Sequence, residues 1–139
     1  MAAPVKHRTL TSSGTMYAIE AGSAQASDAI QTNQIEPESL TCLFSVLAET
    51  DGTTLTGRWQ VSQDNSTWYQ LDPPLNTAAT ILATGTSGSD TLTNKVLSPP
   101  EGWDGWKFVR AAVELGGVTG VTADTYSMTL TYRARDVWR

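Results

Sequence analysis

Leu55-Thr56-Gly57-Arg58-Trp59-Gln60-Val61-Ser62-Gln63-Asp64-Asn65-Ser66-Thr67-Trp68-Tyr69-Gln70-Leu71 alternates with a period of two and then turns. Leu55, Gly57, Trp59 and Val61 fall on one face and Thr56, Arg58, Gln60 and Ser62 on the other, the pattern of a strand buried on one side. Asp64-Asn65-Ser66 predicts a turn, because Asp and Asn side chains bond nearby backbone and tolerate positive φ. Thr67 to Leu71 then reads as the returning strand. Pro73-Pro74 ends it, since proline cannot donate to a ladder. The stretch is a β-hairpin, and the rest of the chain follows its style.

Upstream, Leu40 to Glu49 is the strongest strand. Leu40, Cys42, Phe44, Val46 and Ala48 occupy one face, and Leu43 and Leu47 on the other predict burial on both sides. Asp51-Gly52 supplies a tight turn after it. Before it, Thr15 to Glu20 reads as the first strand and residues 21–39 as a long connection, in which Ile30 and Ile35 alternatively anchor a short strand. Downstream, Thr77–Thr84 and Thr91–Leu97 flank a Gly85-to-Ser89 turn as a second hairpin. Pro99 to Gly105 is a loop, Trp106–Leu115 a strand, and Asp124–Arg135 a closing strand with Tyr126, Met128, Leu130 and Tyr132 on one face. Hairpin spacing without a helical period predicts an all-β chain: a β-sandwich or jelly roll of about eight antiparallel strands with extended N- and C-terminal arms. The boundaries expected are an arm over 1–14, the sandwich over 15–132 and a second arm over 133–139.

At 139 residues the chain is expected to form one domain with a core that needs no disulfide. The single Cys42 reads as a buried small hydrophobe. Met1 to Leu10 lacks the apolar run of a signal peptide, and no run approaches the about 20 residues needed to span a bilayer. The net charge of −5 is unevenly placed. Lys6 and Arg8 at one end, and Arg133, Arg135 and Arg139 at the other, flank an acidic body. An acidic body repels phosphate, so neither nucleic acid nor membrane is expected as a partner. Basic ends suit an acidic protein neighbour, because complementary charge fixes register and speeds encounter.

Reactive chemistry is poorly supplied. His7 is the only histidine and lies in the expected arm, so no triad can be assembled around a Ser or Cys nucleophile. No His, Cys or carboxylates have ligand spacing, and a turn accounts for Asp64 and Asn65 without a metal. Gly85-Thr86-Ser87-Gly88 lacks the lysine and following helix of a phosphate loop. No catalytic residue, metal site or cofactor is expected, and the protein is read as a non-enzyme. The five tryptophans are the richer signal. Trp59 alternates with core residues. Trp103 and Trp106 either plug one end of the sandwich or form an exposed aromatic platform. Trp138 in the basic tail joins Lys6, Arg8, Arg133, Arg135 and Arg139 as a candidate partner contact.

Trp59-Gln60-Val61-Ser62-Gln63-Asp64-Asn65-Ser66-Thr67-Trp68-Tyr69-Gln70-Leu71, followed by Lys107-Phe108-Val109-Arg110, is similar to a hairpin of discoidin-like domains, some of which bind carbohydrate or lipid. The disulfide-linked amino-terminal half of that family is missing here. Over most of its length the chain resembles the capsid decoration, or cement, proteins of tailed bacteriophages. The resemblance rests on short Thr/Ser-rich strands, few lysines, both terminal arms, and the ending Arg110-Ala111-Ala112-Val113 through Gly116-Gly117-Val118-Thr119-Gly120 to Tyr126-Ser127-Met128-Thr129-Leu130-Thr131-Tyr132-Arg133-Ala134-Arg135. It implies a jelly-roll protein on the outer capsid surface of a virion, made in a host cytoplasm. It further implies that the protein cements neighbouring capsomers, with the major capsid protein and further copies of itself (homodimer or homotrimer) as partners. The alternatives are a carbohydrate- or receptor-binding module using Trp103 and Trp106, and a tail-tube, completion or baseplate component.

Overall fold

A computed structural model describes residues 6–17, 24–36, 38–48, 54–71, 80–84, 91–116 and 123–135. They form ten strands: β1 (Lys6–Tyr17), β2 (Ala24–Ala26), β3 (Ile30–Gln31), β4 (Thr41–Ala48), β5 (Thr54–Ser62), β6 (Tyr69–Leu71), β7 (Thr80–Thr84), β8 (Thr91–Leu97), β9 (Phe108–Gly116) and β10 (Ala123–Ala134). One sheet, here called A, has the order β1-β10-β4-β8; the other, B, has β2-β9-β5-β6, with β3 also on β9 and β7 also on β5. All pairs are antiparallel. With β2/β3 and β6/β7 each counted as one interrupted strand, successive strands alternate between the sheets except at the β5–β6 hairpin, which stays in sheet B, and this is jelly-roll order.

The core lies where the inward faces meet. Cys42, Phe44 and Val46 of β4 and Met128, Leu130 and Tyr132 of β10 face Leu55, Trp59 and Val61 of β5 and the Val109–Leu115 run of β9. The alternation in Leu55–Val61 holds: Leu55, Gly57, Trp59 and Val61 are buried and Thr56, Arg58 and Gln60 half-exposed, but Ser62, expected outward, is buried, its hydroxyl oxygen accepting the backbone N–H groups of Asp64 and Asn65 in the turn. The β5–β6 hairpin also forms, with Trp59 opposite Leu71 and Val61 opposite Tyr69. Its turn places Asn65 at a φ of 58°. Asp64 Oδ1 accepts the backbone N–H groups of Ser66 at 2.9 Å and Thr67 at 2.8 Å and the Ser62 hydroxyl at 3.0 Å. These donors hold the Asp64 carboxyl below its ordinary range, the Thr67 amide foremost.

Several expectations change. Residues 6–14, read as part of an arm, belong to β1, which runs along the whole of β10 from Lys6 opposite Ala134 to Tyr17 opposite Ala123. Backbone pairing rather than burial holds β1 in place, and an outward row of His7, Thr9, Thr11 and Ser13 carries no hydrophobic period to betray it. Arg133 and Ala134, assigned to the second arm, are the end of β10. The long connection contains β2, β3 and a 3-10 turn at Thr32–Gln34, and Ile30 and Ile35 are indeed its buried anchors. Thr80–Thr84 and Thr91–Leu97 do not form a hairpin. β7 pairs with β5 in sheet B and β8 with β4 in sheet A, so the chain crosses between layers. Leu43 and Leu47 are not buried on a second side: Leu43 is exposed and Leu47 half-buried, because nothing described covers the outer face of sheet A. Asp51-Gly52 and the Gly85–Ser89 turn lie outside the described residues.

Candidate functional site: the outer face and one end of the sandwich

The outward face of sheet A reads as rows across four strands. Thr11 of β1 lies opposite Thr129, which lies opposite Leu43, which lies opposite Val96. The next row runs Ser13, Ser127, Ser45, Asn94, and the one after it carries Thr125, Leu47, Leu92. Hydroxyls thus cover the β1–β10 half, where Thr11 and Thr129 stand 3.5 Å apart. The β4–β8 half is an apolar stripe, interrupted only by the Ser45–Asn94 hydrogen bond. Leu92 is 64% and Val96 63% exposed. Scattered surface leucines need no explanation; here four apolar residues are aligned on one sheet face.

One end of the molecule gathers charge. Antiparallel pairing of β1 with β10 brings the first and last described residues to the same corner, with His7 opposite Arg133 and Arg8 opposite Tyr132. Segment 34–36 grips β10 from its other side. Arg135 N donates to Gln34 O at 2.8 Å, Glu36 N to Arg133 O at 2.9 Å, and Ile35 bridges Ala134. Arg133 N donates to Ser39 Oγ at 3.1 Å, and the Arg133 guanidinium lies 3.4 Å from Glu36. Arg8 and Arg135 line a cleft of about 510 Å³ with Leu10, Gln34 and Tyr132. Four of the six predicted contacts, Lys6, Arg8, Arg133 and Arg135, are therefore brought to one corner by strand register. Trp138 and Arg139 lie outside the described residues.

Across the same end, beyond β4, the charge reverses. Glu38, Glu101 and Asp104, all exposed, line a second cleft of about 510 Å³ beside Leu40, Ser98, Pro99 and Trp103. Glu38 holds a φ of 62°, unusual for a residue with a side chain of this kind. Sequence reading missed this group. Each acid sits in a loop, and only the return of Ser98–Asp104 beside the start of β4 joins them.

The tryptophans divide. Trp103 is 8% exposed and packs into the core, so it plugs the end of the sandwich and is no platform. Gly102, at a φ of 98°, makes the 3-10 turn over Trp103–Gly105 that inserts it. Trp106 stays half-exposed, with the Tyr69 ring 5.6 Å away and tilted by 43°. The Thr32 hydroxyl bonds Trp106 O and Thr32 N donates to Lys107 O at 2.9 Å, which fixes the loop. Trp106 lines a cleft of about 560 Å³ with Gln31, Asn33, Gln63, Asp104 and Phe108. On the outer face of sheet B, Arg110 stacks over Trp68 at 4.0 Å and donates to Gln60 at 2.7 Å, and Arg58 meets Glu114 at 2.7 Å.

Burial pushes the Cys42 thiol up to about 12, which leaves it neutral and unreactive in the core. Among the described residues no three His, Cys, Asp or Glu side chains are grouped to hold a metal ion. No described helix is long and apolar enough to cross a membrane.

No protein-family model matches the chain, and no curated protein matches its sequence. Solved structures do match its fold. A chain of the cyanophage Pam1 capsid asymmetric unit superposes with a TM-score of 0.52 at 15% identity, over 97% of this chain and 93% of that one. The infectious bursal disease virus VP2 subviral particle gives 0.52 at 14% identity over 93% of this chain, and the Gx strain of that virus 0.50 at 13% over 94%. This chain spans about a third of the length of the infectious bursal disease virus chains. The class is thus a two-sheet β-sandwich of jelly-roll order, a fold shared with the matched parts of these viral chains. With the Pam1 chain the match is nearly end to end.

Proposed function

We propose that this chain is a non-enzymatic structural protein of a phage virion that binds the outer surface of the assembled capsid and cements neighbouring capsomers. The observation that carries the reading is the near-complete, reciprocal match to a small chain of a phage capsid asymmetric unit. The apolar stripe of Leu43, Leu47, Leu92 and Val96 supports it, because a free-standing sandwich has no use for it. In this reading the outward face of sheet A lies on the shell, and the major capsid protein covers the stripe. A ligand that binds the assembled shell and not its dissociated subunits stabilises the shell by mass action, and the effect multiplies with every copy.

The test is to add purified protein to emptied heads lacking it, then to measure occupancy by cryo-electron microscopy and the temperature at which heads break. Saturable occupancy on the outside with a raised breaking temperature supports the proposal. Absence of binding to heads of the cognate phage refutes it.

A second reading has its own observation. Trp106, with the Tyr69 ring beside it, lines an amide-rimmed cleft and offers a ring face beside hydrogen-bonding groups, the chemistry that a neutral sugar needs. Binding on a glycan array that is lost in Trp106→Ala favours it; an array without signal removes it.

A further inference from the structure

We infer that the outer edge of β1 receives, as an added strand, an extended segment of a different protein, one of whose carboxylates is seated between Arg8 and Arg135. The capsid reading supplies only the setting; the site itself is argued from strand edges and charge. An edge strand presents a row of unpaired N–H and C=O groups, and folded proteins blunt such edges with brevity, proline or an inward-pointing lysine. The other sheet edges here are blunted in this way. β2 and β6, at the edges of sheet B, have three residues each, and β8 carries Lys95 on its inner side. β1 has none of these devices. It is twelve residues long, pairs with β10 without a break in register, and no described strand covers its other side. From Thr9 to Tyr17 it holds neither a charged residue nor a proline. Such an edge is a template for one more strand, whose backbone supplies the affinity and whose side chains supply the specificity.

What that strand carries follows from the basic end of β1. Arg8 lies opposite Tyr132, on the core side of sheet A, and with Arg135 lines the cleft of about 510 Å³ that also holds Leu10 and Gln34. Among the described residues neither guanidinium is paired with a carboxylate, whereas Arg133 takes Glu36 and Arg58 takes Glu114. Two cations on one cleft repel each other, and an arriving carboxylate relieves both. Directly opposed residues of adjacent strands share a face, so a residue added opposite Arg8 turns its side chain to the cleft side. A second copy pairing β1 with β1 brings no such group, because residues 1–19 contain no Asp or Glu. The occupant is therefore a segment of another protein, extended, and acidic where it passes Arg8.

The test selects short random peptides by messenger-RNA display against the full, immobilised chain. The peptides recovered are expected to carry Asp or Glu towards one end, and one of them, synthesised, to slow hydrogen exchange of the β1 amides. Ser12→Lys copies on the inner side of β1 the guard that Lys95 gives β8, and is expected to abolish that binding. Thr11→Lys, which places the same charge on the outward face, retains it. Arg8→Gln with Arg135→Gln weakens binding about tenfold and flattens its salt dependence. Both arginines are exposed, so this pair keeps the test sharp even where Ser12→Lys lowers the melting temperature. Recovery of no peptide, of peptides without an acid, or of peptides indifferent to both sets of substitutions overturns the inference. Protection of β1 that grows with the concentration of the chain alone overturns it too, since a second copy is then the occupant. Heads left bare while the peptides still bind sink the capsid reading and spare the strand site; decorated heads with no such peptide do the opposite.

Discussion

Replacing Leu92 and Val96 together by threonine separates the apolar stripe's role in folding from its role in contact. Threonine is as good a strand residue as those it replaces, so β8 keeps its backbone preference. Leu92 is 64% and Val96 63% exposed, so about a third of each side chain's burial is already realised in the free chain. Full burial of such a side chain contributes about 1.5–3 kcal/mol, which leaves about 1–2 kcal/mol for each to gain on docking. The pair is thus worth about 2–4 kcal/mol per copy, or about 30-fold to nearly 1,000-fold in affinity for the shell. In the free chain the same change is an exposed substitution and shifts stability by no more than about 0.5 kcal/mol, a melting shift of about 2 °C. The assay pairs thermal melting by circular dichroism with a titration of emptied heads. Unchanged melting with occupancy lost is the expected result. Unchanged melting with unchanged occupancy refutes the assignment of this face to the shell.

Other consequences are more local. Cys42, with its thiol near 12, should resist iodoacetamide at pH 8 in the folded protein and react at once in denaturant; rapid labelling of native protein would show that the core is open. Asp64 has a folded pKa below its unfolded one, so its stabilising effect is full above the ordinary carboxylate range and fades as pH falls through the lowered value. Asp64→Ala should therefore lower the melting temperature at pH 7 and do so progressively less in strong acid; an equal loss at pH 2 contradicts the turn's design. Gly102→Ala forces a side chain into a φ of 98°, costs about 1–2 kcal/mol and should red-shift tryptophan emission as Trp103 leaves the core; unshifted emission with full stability counts against it.

The fold was legible where burial and period coincide. Leu55–Val61, Cys42–Val46 and Met128–Tyr132 alternate because one face of each strand meets the opposite sheet, and the β5–β6 turn is written in Asp64-Asn65. Pairing between distant strands left no such trace. β1 is held by β10, more than a hundred residues away, through backbone groups that every residue has. The second hairpin was misread for the same reason: β7 and β8 both look like strands, but which sheet accepts each depends on the β5 and β4 edges already in place. Among the candidate contacts, the basic residues were visible as charge at the two ends of the chain, and their convergence was not. Leu43 and Leu47 were seen and assigned to the interior, since periodicity tells that a face is apolar and not what covers it.

Sheet A has two edges, and they are not equivalent. On β8, Lys95 lies opposite Phe44 on the side away from the stripe, and it is exposed. A lysine pointing to the inner side of an edge strand resists addition of another strand, because pairing there would bury its charge. Contact at the stripe is thus expected through side chains lying flat on a surface rather than by extension of the sheet. Lys95→Thr removes that guard while leaving Leu92 and Val96 in place. If the guard is what keeps the outer edge of β8 from pairing, the variant should fold, bind heads as before, and acquire a slow, salt-insensitive self-association that the unmodified chain lacks. Loss of head binding in Lys95→Thr would instead mean that the ammonium group itself contacts the shell.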